Sequence, residues 1–238
     1  MKKHIPNSIT CCNLISGCIA TDFAFNGEMQ WALCWIIMGA VFDFFDGMSA
    51  RLLHVASPIG KELDSLADDV TFGVAPSTMI FTELSIIEYP GFMEGWRSFL
   101  PYFAYIMAAF SALRLAKFNL DERQTSSFIG LPTPANTLFW GSFILACGSF
   151  LEDGPWKVFL IMAMVLISCW LLISEHPMFA LKFKHWGWKG NEFRYSFVIV
   201  SAIVLAIFGL LKGWWIVILI YIASTFLPQR IQNGSAKA

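Results

Sequence analysis

Eight apolar stretches, separated by short breaks rich in glycine, proline and charged residues, constrain the fold of this chain more than any other feature. An α-helix needs about 20 mostly apolar residues to cross the hydrocarbon core of a bilayer, and the stretches approach that length. Only 14% of the residues are charged, whereas 57% are hydrophobic. We therefore predict an all-α, polytopic membrane bundle with transmembrane helices at about 8–26, 30–54, 61–83, 98–118, 133–151, 155–174, 194–211 and 213–228.

The distribution of lysine and arginine predicts how this bundle is oriented. If both termini lie on one side, that side carries thirteen of the 16 basic residues, and the other carries Arg97, Lys157 and Lys212. The thirteen are Lys2, Lys3, Arg51, Lys61, Arg114, Lys117, Arg123, Lys182, Lys184, Lys189, Arg194, Arg230 and Lys237. Cytoplasmic loops are enriched in basic residues, so we expect both termini in the cytoplasm. The chain offers no basic face of the size that nucleic acid requires, so nucleic acid is not an expected partner.

Four aspartates interrupt two of the apolar stretches. Asp43 and Asp46 belong to the second predicted helix, and Asp64 and Asp68 belong to the third. A carboxylate near the bilayer centre costs roughly 2.5–3.5 kcal/mol, so four of them need a compensating partner. Spacings of three and four residues place each pair on one helix face, and the turn at 57–60 brings the two faces together. A pair of divalent cations held by these carboxylates would suit the clamping of a pyrophosphate.

The residues next to the aspartates suit a ligand that carries phosphate. Gly47 and Ala50 leave space on the acidic face, although small residues also favour close helix packing in membranes. Arg51 offers a fork of donors that matches phosphate oxygens, and the hydroxyl of Ser57 can donate one more hydrogen bond. Acidic residues inside a membrane also serve proton or ion relays, so a cation- or proton-coupled transporter is an alternative. Such a transporter would be expected to show two related halves, and no internal repeat is visible.

The spacing of these residues resembles the signature of a known enzyme family. Asp43-x2-Asp46-Gly47-x2-Ala50-Arg51-x8-Gly60-x3-Asp64-x3-Asp68 agrees at every fixed position with the CDP-alcohol phosphatidyltransferases. Members of this family transfer a phosphatidyl or similar group from a CDP-linked lipid to an alcohol and release CMP. The resemblance implies one membrane-embedded domain over 1–238, with a catalytic core at about 1–175 and additional C-terminal helices at about 194–228. It also implies a homodimer.

The same resemblance assigns roles to individual residues. It implies that the four aspartates bind two divalent metal ions, Mg or Mn, and that Asp68 is also the general base. It implies contacts with the nucleotide end of the CDP-lipid for a further set of residues: Asn7, Thr10, Asn13, Gly47, Ala50, Arg51, Ser57 and Gly60.

Further stretches within about 1–136 resemble the integral-membrane phosphatidylserine synthases of that family, among them 61–68, 72–76, 112–119 and 128–135. The resemblance implies transfer of the phosphatidyl group from CDP-diacylglycerol to L-serine, in phospholipid biosynthesis at a bacterial inner membrane, with the active site facing the cytoplasm. Arg114 can bind the serine carboxylate through two hydrogen bonds, with Lys117 and Asn119 nearby. Arg114 and Lys117 are alternatively interfacial anchors of their helix.

Other acceptors used within the family remain alternatives: glycerol phosphate, inositol phosphate or choline. A phosphorylated acceptor would require several basic residues around one pocket, and Arg114, Lys117 and Arg123 are the available ones. Asp69 departs from the family pattern, in which an apolar residue follows the catalytic aspartate. A helical step of about 100° turns Asp69 away from the predicted metal face, so we expect it to pair with a neighbouring helix or to face water.

Overall fold

The computed structural model of the protein describes residues 4–55, 57–120, 128–152, 154–178, 187–188 and 191–226. Within these ranges the chain is mostly α-helical, which confirms the all-α prediction. The α-helices are α1 (His4–Phe25), α2 (Met29–Leu52), α3 (Pro58–Asp69), α4 (Ala75–Ile86), α5 (Ile106–Leu120), α6 (Thr133–Glu152), α7 (Lys157–Ile173), α8 (Glu192–Phe208) and α9 (Trp214–Thr225). A π-helical segment (Val70–Val74) joins α3 to α4, and 3₁₀-helical turns span Gly91–Trp96 and Leu100–Tyr105. Two short strands that the sequence did not predict, β1 (Phe128–Ile129) and β2 (Pro177–Met178), pair in antiparallel fashion.

The helices follow the predicted apolar stretches with small shifts at their ends. The third stretch forms a continuous rod through α3, the π-helical segment and α4, and the fourth begins as a 3₁₀ turn before α5. In the described ranges, α1 and α2 are long and apolar enough to cross a membrane, and α7 and α9 are shorter apolar helices. The number of spans and the orientation of the termini stay predictions. Eight of the basic residues behind that orientation lie outside the described residues: Lys2, Lys3, Arg123, Lys182, Lys184, Lys189, Arg230 and Lys237.

The first two helices form a tight hairpin that supports the rest of the site. Gly27 makes the turn with a φ of 76°, a conformation that glycine adopts without steric cost. Ala20, Ala24 and Ala32 are fully buried, because small side chains let α1 and α2 approach closely. Helix α3 also packs against α1, so α1 is the common support for both helices that carry aspartates.

The π-helical segment is held between α1 and α2 by two glycines. A Cβ atom on Gly17 would lie 2.8 Å from Thr71 Cα, and one on Gly39 would lie 2.6 Å from Thr71 Cγ2. Both distances are shorter than non-bonded contacts allow, so these positions accept only glycine without displacement of Thr71. The close approach fixes the depth of the rod relative to α1, and it therefore fixes the level at which Asp64 and Asp68 lie.

Helix α6 fills the centre of the bundle on the other side of the rod. Thr137 Oγ1 donates to the carbonyl of Phe72 at 2.7 Å, and Trp140 Nε1 donates to Ser168 Oγ of α7 at 2.9 Å. Helix α9 packs against α6. Helix α8 has no buried residue, and a turn that begins at Gly209 connects it to α9. This turn lies close to the boundary between the last two predicted spans, 194–211 and 213–228.

Candidate active site

Three of the four aspartates meet between α2 and α3. Carboxylate oxygens of Asp43, Asp64 and Asp68 all lie within 4.8 Å of one another. Helix α3 begins at the predicted turn, where Ser57 caps the helix by accepting a hydrogen bond from Gly60 N at 2.9 Å. Both helices pack against α1, which brings the carboxylates of α2 close to those of α3.

Asp46 lies beside this group of three, one turn further along α2. It is 6% exposed, lies close to Thr10, and interacts electrostatically with Asp64 and Asp68. Its Oδ2 atom is buried and has no hydrogen-bond partner among the described residues. The predicted convergence of two carboxylate pairs is therefore present, with Asp46 at the edge of the cluster that faces the adjacent cavity.

The chemistry of this cluster fits a divalent cation. Hard cations such as Mg²⁺ and Mn²⁺ prefer oxygen ligands, and the cluster offers oxygen atoms alone. Asp46 Oδ2 and Asp64 Oδ1 are buried without partners, and the described residues contain no salt bridge to any of the four aspartates. A cation at this position would satisfy these oxygens and offset the repulsion between like charges. The predicted metal site is thus chemically feasible, while the number of ions stays a prediction.

Asn13 has a position that the sequence did not reveal. Its side chain is fully buried, and Nδ2 donates to Asp68 Oδ1 at 3.0 Å. Its own Oδ1 accepts a hydrogen bond of 2.8 Å from Thr71 Oγ1. This second hydrogen bond sets the orientation of the amide so that its NH₂ group faces Asp68. Asn13 was predicted to contact the nucleotide, but in this structure it contacts Asp68 and does not line the cavity described next.

A cavity of about 690 Å³ opens beside Asp46 and Asp64. That volume is typical of sites for small molecules and cofactors. Seven of the eight residues predicted to contact the nucleotide line it: Asn7, Thr10, Gly47, Ala50, Arg51, Ser57 and Gly60. Four other lining residues were not predicted from the sequence: Pro6, His54, Val55 and Lys61. His54 lies two residues after the end of α2 with a left-handed backbone (φ 51°), and its place three residues after Arg51 was the available signal.

The surroundings of Gly47 distinguish between the two roles considered for the small residues, space for a ligand and close helix packing. A Cβ atom added at Gly47 would meet no protein atom within 4 Å, so this glycine is not needed for helix packing. Gly60 differs, because a Cβ there would lie 2.9 Å from Ser57 Oγ and 3.1 Å from Asn7 Oδ1. The open space at Gly47 faces the cavity and suits the approach of a ligand.

The three residues predicted to bind serine have different environments. Arg114 on α5 is buried, at 7% exposed, and its guanidinium interacts electrostatically with Asp68 and Tyr221. Lys117 is exposed. Asn119 ties α5 to α3, because its Nδ2 donates to Ser65 Oγ at 2.7 Å and its carbonyl accepts from Lys61 at 2.7 Å. Of the three, Arg114 alone has an electrostatic interaction with an aspartate of the cluster, and its burial is unlike that of an interfacial anchor.

Comparison with known proteins agrees with this geometry. A model of the CDP-alcohol phosphatidyltransferase family matches residues 3–186, and the chain therefore belongs to that family. Helices α8 and α9 lie beyond the matched range. The family is membrane-bound and generally uses divalent metal ions.

Several relatives carry the name CDP-diacylglycerol–serine O-phosphatidyltransferase. The one from Bacillus subtilis is 38% identical over 136 residues, covering 56% of this chain and 70% of the relative. The one from Mycobacterium leprae is 31% identical over 243 aligned positions, covering 96% of this chain and 75% of the relative. The one from Helicobacter pylori (strain 26695) is 31% identical over 179 residues, covering 73% and 72%.

Proposed function

We propose that this protein transfers the phosphatidyl group of CDP-diacylglycerol to the hydroxyl of L-serine, forming phosphatidylserine and CMP. The observation that carries the proposal is an acidic cluster suited to cations beside a cavity lined by the residues of the family signature. The relatives named above act on these same substrates by name. The buried Arg114 next to Asp68 supports an acceptor that carries a carboxylate.

The nucleotide end of the CDP-lipid would occupy the cavity. Gly47 leaves open space for it, Arg51 supplies a cationic fork for phosphate oxygens, and Asn7 and Thr10 line the wall on α1. The acyl chains would extend from there into the bilayer. This placement puts the negatively charged pyrophosphate next to the carboxylates of Asp46 and Asp64, so cations are needed to neutralise the negative charge of both.

Asp43, Asp46, Asp64 and Asp68 would hold the divalent ions, which we propose to be two Mg²⁺ or Mn²⁺. When bound, such ions neutralise the pyrophosphate and stabilise the charge that develops on the leaving CMP. The unpartnered oxygens of Asp46 and Asp64 are consistent with this role.

The transfer itself requires a base and an oriented acceptor. Asp68 accepts the proton of the serine hydroxyl, and the serine oxygen attacks the lipid-side phosphorus. A new phosphorus–oxygen bond forms, the bond to the CMP oxygen breaks, and CMP leaves with the electron pair. Asn13 keeps Asp68 Oδ1 in place through its 3.0 Å hydrogen bond. Arg114 binds the serine carboxylate, Lys117 is an exposed cation one turn further along α5, and Asn119 joins α5 to α3.

We further propose that the enzyme is an eight-span protein of a bacterial inner membrane, with both termini and the active site facing the cytoplasm, and that it acts as a homodimer within membrane lipid. The excess of basic residues on the side of the termini supports this orientation. A site on that side can take serine and metal ions directly from the cytosol.

The test uses purified protein in detergent with CDP-diacylglycerol, Mg²⁺ or Mn²⁺, and a panel of acceptors: L-serine, glycerol 3-phosphate, inositol 1-phosphate and choline. We expect CMP release with L-serine, and its loss in the Asp68→Asn variant. Asp22→Asn is the matched control, because Asp22 is an exposed acidic residue near the C-terminal end of α1. A preference for another acceptor, or CMP release at full rate in Asp68→Asn, would contradict the proposal. Ion flux in vesicles without any CMP release would indicate a transporter instead.

A further inference from the structure

The interface between α5 and the π-helical rod contains polar atoms without partners. Ser111 is 0% exposed, and its Oγ has no hydrogen-bond partner among the described residues. Asp69 Oδ1 and Arg114 Nε are also buried atoms without a hydrogen-bond partner among the described residues. Unpaired polar atoms are costly to bury, and native structures contain few of them. Three such atoms along one interface are candidates for hydrogen bonds to a ligand.

Ser111 differs from three other buried serines of the helical bundle. Ser16, Ser77 and Ser142 each donate to the backbone carbonyl four residues earlier, at 2.8, 2.7 and 2.6 Å. This internal hydrogen bond is the usual solution for a serine inside a helix. Ser111 does not make it, so its hydroxyl stays free to interact across the interface.

Gly73 brings Asp69 and Ser111 to the same point. A Cβ atom added at Gly73 would lie 2.6 Å from Asp69 Oδ1 and 3.0 Å from Ser111 Cβ. The absence of a side chain at Gly73 therefore makes the room in which the Asp69 carboxylate lies. Asp69 is followed by the π-helical segment, and such segments are frequent at functional sites. Asp69 does turn away from the metal cluster, as predicted, but it neither pairs with a cation among the described residues nor lies exposed.

These groups flank the proposed base. Arg114 lies three residues after Ser111 and shares its face of α5, while Asp69 directly follows Asp68. The guanidinium of Arg114 interacts electrostatically with Asp68. The residues next to Asp68 in the chain and across from it on α5 thus offer a cation (Arg114), a carboxylate (Asp69) and a hydroxyl (Ser111). This arrangement is complementary to an α-amino acid, whose carboxylate and ammonium groups lie on either side of the reacting side chain.

We propose that Asp69 and Ser111 bind the ammonium group of the acceptor amino acid. The inference rests on the proposed function and extends it, because it explains why the acceptor is a zwitterion and not merely an alcohol with a carboxylate. An anionic phosphate group would be repelled by the Asp69 carboxylate, so the same residue disfavours phosphorylated acceptors.

The test compares L-serine with 3-hydroxypropanoate, which has the same hydroxyl and carboxylate but no ammonium group. The measured quantity is the ratio of two constants: the inhibition constant of 3-hydroxypropanoate against serine, divided by the KM for serine. Removing the charge at Asp69 should matter only when the ligand carries the ammonium group. In Asp69→Asn we expect this ratio to fall about tenfold or more, because a charge-assisted hydrogen bond is lost. In Ser111→Ala we expect a fall of about threefold, the effect of one neutral hydrogen bond.

Stability and a control separate this role from a structural one. Ser111→Ala removes an unpartnered hydroxyl, so the melting temperature should stay the same or rise, although serine binding weakens. Glu62→Gln is the matched control, because it removes an exposed carboxylate from the same helix and should leave the ratio unchanged. An unchanged ratio in Asp69→Asn, with wild-type protein active on serine, would overturn the ammonium site alone. A wild-type protein inactive on serine would instead overturn the proposed function.

Discussion

The hydrogen bonds from Thr71 to Asn13 and from Asn13 to Asp68 give the sharpest prediction about catalysis. Thr71 touches no reacting group, but its Oγ1 donates to Asn13 Oδ1 at 2.8 Å and so orients the amide that binds Asp68. Valine has nearly the same shape as threonine and cannot donate. The Thr71→Val variant therefore removes the orienting hydrogen bond while filling the same space between Gly17 and Gly39.

The size of the effect follows from the burial of these residues. Thr71 and Asn13 are fully buried, so an unpartnered Asn13 Oδ1 should lower the free energy of unfolding by about 1–3 kcal/mol. A hydrogen bond to a charged group contributes about 1.5–3 kcal/mol, which corresponds to a loss in kcat of about 10- to 150-fold if Asp68 is released entirely. Because Thr71 acts through Asn13, this loss cannot exceed that of Asn13→Leu.

The assay measures CMP release at saturating serine and CDP-diacylglycerol, together with the thermal stability of the purified protein. Thr71→Ser keeps the hydroxyl and should recover most of kcat. Thr78→Val is the matched control, because Thr78 is equally buried but its hydroxyl bonds to the carbonyl of Val74 at 3.0 Å and to Tyr105 Oη at 3.4 Å, and to neither Asn13 nor Asp68. In an Asn13→Leu background, Thr71→Val should cause no further loss of kcat. A full additional loss there, or wild-type kcat in Thr71→Val alone, would refute the positioning role.

Three further predictions concern the cavity, the acceptor and the metal ions. Gly47→Ala should raise the KM for CDP-diacylglycerol without lowering thermal stability. Gly39→Ala should destabilise the protein, because its Cβ would lie 2.6 Å from Thr71 Cγ2. A melting temperature that falls in Gly47→Ala but not in Gly39→Ala would contradict the packing described above. Arg114→Lys keeps the charge but loses bidentate hydrogen bonding to a carboxylate, so the KM for serine should rise about tenfold and the KM for CDP-diacylglycerol less than about twofold. Equal increases in both KM values would argue against a serine contact. Chelation with EDTA should abolish CMP release and Mn²⁺ should restore it, and Asp64→Asn should weaken Mn²⁺ binding measured by electron paramagnetic resonance; full activity in EDTA would rule out a metal-dependent reaction.

The amino-acid sequence alone was sufficient to predict the helical class, the family and most of the residues of the candidate site. The reason is that these features are local. Apolar stretches of helical length and breakers such as Asn26-Gly27 determine where helices form. Spacings of three and four residues put Asp43 with Asp46, and Asp64 with Asp68, on single faces whatever the helices pack against. The residues that line the cavity follow from the same short segment and from the start of α1.

Tertiary structure decided which polar side chains meet across the bundle. Asn13 was predicted to contact the nucleotide, and the structure shows in addition that its amide donates to Asp68, 55 residues later in the chain. The meeting of Ser111 with Gly73 and Asp69 is of the same kind. Such contacts depend on the depth and rotation at which α1 and α5 pack against the π-helical rod. Those quantities are set by close approaches between residues far apart in the chain, as at Thr71 between Gly17 and Gly39, and no periodicity within one helix encodes them.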